Sequence, residues 1–167
     1  MRASGADPAT LKDRMQHMRE PNPDQLALHQ WLKDRATAPT FAANPMARAL
    51  GTRLLALDAD SGAIQLAFAP EGIFVQGVGV LQGGALTAML DFAMAFSLLG
   101  VLPPSQGCTT ASVNVSFLRA APRGLYLASG EIEKRGRQLV FSRASLASAD
   151  DPDRPVATAT STLVIIG

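Results

Sequence analysis

The sequence predicts an α+β domain in which an antiparallel sheet curls around one long central helix, preceded by a helical N-terminal extension. Three observations carry this expectation. The stretch from Gly83 to Leu102 is twenty mostly apolar residues with one charge, Asp91. Two strand-like runs precede it and four follow it, separated mainly by hairpin-type turns, which make an antiparallel rather than a parallel sheet. The helix is also apolar on nearly every side. It cannot lie as a layer on an exposed face, so the sheet and a second subunit must cover it.

Each element has a local reason. Residues 1–40 form the extension and 41–167 the main domain. The first 35 residues are polar and helix-prone, interrupted by Pro21-Asn22-Pro23-Asp24, which predicts helices at Pro8–Arg19 and Asp24–Arg35 with Asp24 as an N-cap. Residues 36–47 read as a Pro/Ala-rich connection. Strands are predicted at Gly51–Leu57 and Ala63–Ala69 around the turn Asp58-Ala59-Asp60-Ser61-Gly62. Pro70 to Leu81 is a glycine-rich loop, and the apolar helix runs over about Gly83–Leu99, ahead of Pro103-Pro104. Then come strands at Thr109–Leu118, Leu125–Lys134, Arg137–Ser148 and Val156–Ile166, with a hairpin at Arg135-Gly136 and a turn over Asp150–Pro155. In Thr109–Leu118, simple alternation puts Thr109, Ala111, Val113, Val115 and Phe117 on one face and Thr110, Ser112, Asn114, Ser116 and Leu118 on the other.

Composition narrows the function classes. The chain has 167 residues, 47% hydrophobic and 17% charged, enough to build one core without a disulfide or metal staple. Its single cysteine, Cys108, excludes an intrachain disulfide framework and multi-cysteine metal sites, and fits a reducing compartment, so a cytoplasmic location is expected. A net charge of +1, one Trp and one Tyr argue against a nucleic-acid partner. Lys12, Asp13, Arg14, Arg19 and Glu20 interrupt any secretory signal pattern. Gly83–Leu102 could span a bilayer by length, but a carboxylate near its middle costs about 2.5–3.5 kcal/mol on insertion, so no membrane partner is expected. The only histidines, His17 and His29, lie in the extension. A Ser-His-Asp hydrolase lacks its G-x-S-x-G signature and a metal hydrolase lacks ligands; no metal and no cofactor are expected.

The apolar helix carries the chemistry. Gly84, Thr87, Ala88, Asp91, Ala95 and Leu98 share one face, much of it small. Asp91 reads either as a buried carboxylate satisfied by backbone or threonine hydroxyl groups, or as a general base or nucleophile. Gly83-Gly84 reads either as close packing of the helix end or as free N–H groups at the positive end of the helix dipole, able to hold an oxyanion. The two features lie two turns apart, about 12 Å along the axis at 1.5 Å per residue, so one helix cannot bring both to one reacting centre. A facing subunit would have to supply one of them.

The run Gly79-Val80-Leu81-Gln82-Gly83-Gly84, followed by a helix with Asp91 eight positions after Gly83, resembles the hot-dog-fold acyl-CoA thioesterases of the phenylacetate-degradation (PaaI-like) type, whose pattern is roughly G-x-x-H-G-G plus that acid. The likeness continues through Ser112-Val113-Asn114-Val115-Ser116-Phe117-Leu118-Arg119 and covers roughly residues 45–166. The resemblance implies that Asp91 is the catalytic acid residue, acting as base on water or attacking the thioester carbonyl. It implies that the Gly83 N–H polarises that carbonyl and that Gln76 orients the thioester or water. Thr110 falls near a Ser/Thr that positions water in some members. It further implies that acid and oxyanion glycine come from opposite subunits of a homodimer or homotetramer. Two positions depart from the family pattern. Gln82 replaces the usual histidine and can hydrogen-bond but cannot act as an acid near neutral pH. Ala95 stands where some members have Ser/Thr.

The segment Arg119–Arg143 holds six basic and two acidic residues, against nine and twelve in the remainder. That asymmetry fits either solvated strand ends or a site for the phosphates of coenzyme A, with Arg135 and Arg137 as candidate contacts. Gly84 and Phe74 are further substrate-binding candidates, and Met89, Phe92 and Phe117 are either pocket walls or plain core. The function expected is hydrolysis of an acyl- or aryl-CoA thioester. The alternatives are a non-catalytic acyl-CoA-binding hot-dog protein and a hot-dog dehydratase or hydratase, which the histidine-free core argues against.

Overall fold

A computed structural model of the chain describes residues 22–35 and 38–167; the predicted helix Pro8–Arg19 lies outside them. Helix α1 spans Pro23–Asp34, α2 Pro45–Ala49 and α3 Gly83–Val101. The strands are β1 (Arg53–Leu57), β2 (Ile64–Phe68), β3 (Gly107–Phe117), β4 (Tyr126–Arg135), β5 (Leu139–Ser148) and β6 (Asp151–Ile166). They form one antiparallel sheet in the order β1-β2-β4-β5-β6-β3, so β1 and β3 are its edges. The sheet wraps α3, whose Met89, Leu90, Ala93, Met94 and Leu98 are fully buried against it. This is the α+β hot-dog arrangement that the sequence predicts. α3 is long and apolar enough to cross a membrane, and most of it is buried within the protein.

The two shorter helices both start at Asn-Pro, which refines the sequence reading. Asn22, not Asp24, caps α1 by accepting the Asp24 N–H at 2.9 Å. α2 begins within the stretch expected to be a connection and runs two residues past it. Asn44 caps it by accepting the N–H groups of Met46 and Ala47 at 3.2 and 3.1 Å. In both cases proline takes the first helical position, where a missing N–H costs nothing. β6 begins at Asp151, inside the stretch expected to be a turn. Register shifts at Leu146/Ala147 and Ala147/Ser148 carry the ladder past Pro155, which pairs with Ala147.

Two contacts fix α3 in place. A Cβ on Gly130 of β4 would lie 2.4 Å from the Ala93 carbonyl oxygen, so the helix rests directly on the strand backbone. At its C-terminal end the buried Gln25 amide of α1 donates to the carbonyls of Leu102 and Gln106 at 3.2 and 3.1 Å, with longer contacts to Leu99 and Pro103. The extension thereby satisfies carbonyls that the last turn of a helix leaves without partners. A concavity of about 990 Å³ lies over the sheet face turned away from α3, lined by Gln65, Ser129, Glu131, Arg143 and Thr160 among others, and does not include Asp91.

Candidate active site

Asp91 is half-buried on α3, and its Oδ1 accepts a hydrogen bond from Thr110 Oγ1 of β3 at 2.8 Å. Its Oδ2 has no partner among the described residues. One carboxylate oxygen is therefore held and the other is open. Of the face read from the sequence, Gly84 is exposed and Thr87, Ala88, Asp91 and Ala95 are half-buried, whereas Leu98 is fully buried in the core. This strip borders β3, the edge strand, most of which is exposed.

A β-bulge brings Thr110 to this carboxylate. Strict alternation would put Thr110 opposite Val115 and Phe117. The β3–β6 register shifts between Thr110 and Ser112, leaving Ala111 unpaired. The bulge reverses the parity, so Cys108 and Thr110 before it face the same side as Val115 and Phe117 after it. The Cys108 thiol donates to the Ala95 carbonyl at 3.8 Å. Burial first, and the Asp91 charge second, push its pKa up to about 12. It remains a thiol across the physiological range, so it does not compete as a nucleophile.

At the other end of the strip, α3 opens without a side-chain cap. Ala85 and Leu86 N–H groups both reach the Gln82 carbonyl, at 3.0 and 3.2 Å, and the N–H groups of Gly83 and Gly84 have no acceptor among the described residues. These are the donors a helix start presents to negative charge. The Gly83 carbonyl takes the Thr87 hydroxyl at 2.9 Å. A Cβ on Gly83 would sit 3.2 Å from the Phe117 ring, whereas one on Gly84 would meet nothing within 4 Å. Phe117 itself is 54% exposed, so the ring floors an open approach to Gly83.

Gln76 stands on a tight turn just before this helix. Its N–H donates to the Val80 carbonyl at 2.8 Å, its carbonyl accepts from Gly79 at 2.9 Å, and Gly79 takes a φ of +84°, which favours glycine. Val75 bridges Leu81, and the Gln82 N–H reaches the Phe74 carbonyl at 2.8 Å. The turn thus doubles back and puts Phe74, packed against the core, beside Gln82, whose own side chain is exposed. The structure gathers Gly83, Gly84, Gln82, Gln76, Phe74 and Phe117 at the N-terminal end of α3. It places Asp91, Thr110 and Cys108 two turns further on.

Arg135 and Arg137 are not at that end. Gly130 lies against Ala93, and Ile132 further along β4 lies near Val101, across Gly62. The β4–β5 hairpin that carries both arginines therefore projects beyond the C-terminal end of α3. The loop after β3, which carries Arg119 and Arg123, is tied to the segment just before Gly83 through the Leu81 N–H and Ala121 carbonyl. The sequence reading counted both arginines in the basic segment Arg119–Arg143 but singled out Arg135 and Arg137 as the phosphate contacts. The available signal was strand direction: β3 runs antiparallel to α3, from Thr110 beside Asp91 to Phe117 beside Gly83.

Comparison with known proteins agrees with this architecture. The profile of the thioesterase superfamily matches residues 78–153. The phenylacetic acid degradation-related protein of Ralstonia eutropha JMP134 is 31% identical, with a TM-score of 0.69 over 83% of this chain and 98% of that one. A thioesterase family protein of Silicibacter pomeroyi is 26% identical, with a TM-score of 0.71 over the same shares. The Escherichia coli PaaI protein from the phenylacetic acid degradation operon, at 17% identity, shares the fold with a TM-score of 0.68 over 86% of this chain and 96% of that one. A search of curated proteins found no match. With an uncapped helix start, an accessible carboxylate and these likenesses together, the chain belongs to the thioesterase superfamily, as a PaaI-like hot-dog thioester hydrolase.

Proposed function

We propose that the protein hydrolyses an acyl- or aryl-CoA thioester at a site shared by two protomers. The observation that carries this reading is the half-held carboxylate: Thr110 fixes Oδ1 of Asp91, leaving Oδ2 to take a proton from water as it attacks the thioester carbon. The Gly83 N–H of the facing protomer receives the developing oxyanion, and Gln76 and the Gln82 amide steady the thioester beside it. Phe74 and Phe117 supply apolar walls and Gly84 lets the thin pantetheine arm pass; Arg135 and Arg137, at the other end of their own α3, would reach the phosphates only from the partner and are the competing candidates for that contact.

The need for two protomers follows from distance. Eight residues of helix separate Gly83 from Asp91, about 12 Å along the axis. The half-buried small residues of α3 around Asp91 and the unpaired edge of β3 support a homodimer in which two α3 helices run antiparallel, each Asp91 opposite the other's Gly83. Exposed Val113, Phe117 and Leu118 on and just after β3 would be covered by the same association, and a homotetramer would pair two such dimers. The protein is expected to act in the cytoplasm with no metal, cofactor, nucleic-acid or membrane partner.

The test is a panel of acyl- and aryl-CoA thioesters read by free-thiol release, with wild type and Asp91→Asn. Turnover by wild type and a loss of about a thousandfold in the variant, with an unchanged circular-dichroism spectrum, supports the reading. An Asp91→Asn protein that works at full rate would reject it.

A further inference from the structure

The loop between β3 and β4 holds basic side chains at the end of the molecule where the thioester is proposed to sit. It runs over residues 118–125 and is pinned on both sides. The Leu81 N–H, two residues before Gly83, donates to the Ala121 carbonyl at 2.7 Å, and Val80 bridges Pro122. Leu118 and Arg119 N–H groups both reach the Val156 carbonyl, and the buried Tyr126 hydroxyl donates back to the Pro122 carbonyl. The loop is thus fastened to the Gln76–Gly83 segment and cannot swing away from it.

Arg119 and Arg123 on this loop are exposed and have no carboxylate partner among the described residues. One Arg119 Nη1 donor is spent on the Pro155 carbonyl, which holds the guanidinium in place and leaves most of its five donors free. The acidic turn at the start of β6 lies nearby, and there Asp151 is paired with Arg154 at 3.4 Å. Arg143, by contrast, lies on the far face of the sheet and is engaged by Glu131 and Glu133. Two guanidinium groups without a carboxylate partner among the described residues, on a loop whose Ala121 carbonyl is bonded by the N–H of Leu81 two residues before Gly83, suit a flexible thioester whose far end carries phosphates.

We propose that Arg119 and Arg123 bind the phosphates of the substrate's carrier. The inference rests on the thioesterase reading and names the residues that distinguish a phosphorylated carrier from a bare thioester.

The experiment compares one acyl group carried on coenzyme A and on phosphate-free pantetheine. It uses wild type, Arg123→Ala, Arg119→Ala/Arg123→Ala and Arg135→Ala/Arg137→Ala. The loop variants are expected to raise KM for the CoA thioester about tenfold, leaving kcat and the pantetheine thioester unchanged. Titration with adenosine 3′,5′-bisphosphate, which has no thioester, gives a second readout. Wild type binds it, the loop variants lose it, and circular dichroism confirms that Arg123→Ala is folded. Unchanged KM and nucleotide binding in the loop variants, equal losses on both thioesters, loss only in the hairpin variant, or no nucleotide binding by wild type would each overturn the proposal. Failure of the thioesterase reading looks different: nucleotide bound through the loop, with neither thioester hydrolysed.

Discussion

The Thr110–Asp91 hydrogen bond makes a prediction of its own. Thr110→Ala should lower kcat about tenfold with little change in KM, because the carboxylate stays but loses the group that aims it. Thr110→Ser should restore most of the rate. Steady-state kinetics on the best thioester of the panel would separate this from a folding defect, which would lower the active fraction in both variants. Asp24 offers a residue-scale prediction on stability. It is buried, its Oδ2 accepts from Asn44 at 2.8 Å, and its Oδ1 has no partner among the described residues. Burial raises its pKa, and the Asn44 bond only partly opposes this. A raised folded-state pKa means that the favourable contribution is present in acid and is lost as pH rises through that pKa. Asp24→Asn should therefore gain Tm relative to wild type as pH goes from below the carboxylate range to neutral. Thermal unfolding at several pH values would show it, and a Tm difference independent of pH would refute it.

At the scale of elements, α3 is held by its contact with β4 and by the cap from α1. Gly130→Ala would push a methyl into the Ala93 carbonyl, against helix backbone that cannot turn aside. The cost should be about 3 kcal/mol or more, read as a Tm lower by about 10 °C. Gln25→Ala removes the amide shared by the carbonyls at the end of α3 and should cost about 1–3 kcal/mol. Gln25 acts at the far end of α3 from Asp91, so the folded fraction of Gln25→Ala should retain its kcat, whereas Gly130→Ala displaces helix backbone two residues from Asp91 and should lower kcat as well. The hairpins, the apolar helix and the Asp91 face were legible from periodicity and turn residues. α2 was not, because five residues give periodicity too little length to register; its readable mark is Asn44-Pro45. The early start of β6 was hidden for another reason. Asp150–Pro155 has turn composition, and strand pairing overrides it by way of bulges.

At the scale of the whole molecule, complementation tests the shared site. Asp91→Asn homodimers and homodimers blocked at the oxyanion position by Gly83→Val should each be inactive. Mixed and allowed to exchange, random pairing makes half the dimers mixed, each with one intact site, so activity should return to about a quarter of wild type. Exchange that yields mixed dimers by mass spectrometry without activity would place acid and oxyanion donors in one chain. Sedimentation should find no monomer at working concentration, because the lone chain leaves the edge of β3 and the small face of α3 uncovered.

Local chemistry alone determined a good deal about this protein. It set a helix apolar enough to demand enclosure, a carboxylate among small residues, paired glycines at that helix's start, and hairpins enough for an antiparallel sheet. These follow from period and residue type, which act over a few positions. Tertiary structure decided which distant groups meet. A bulge at Ala111 turned Thr110 toward Asp91, Gln25 was carried from the extension to the far end of α3, and the basic loop rather than the basic hairpin came to lie beside Gly83. Such meetings depend on strand register and strand direction, and one extra residue in a ladder reverses which face every following side chain takes.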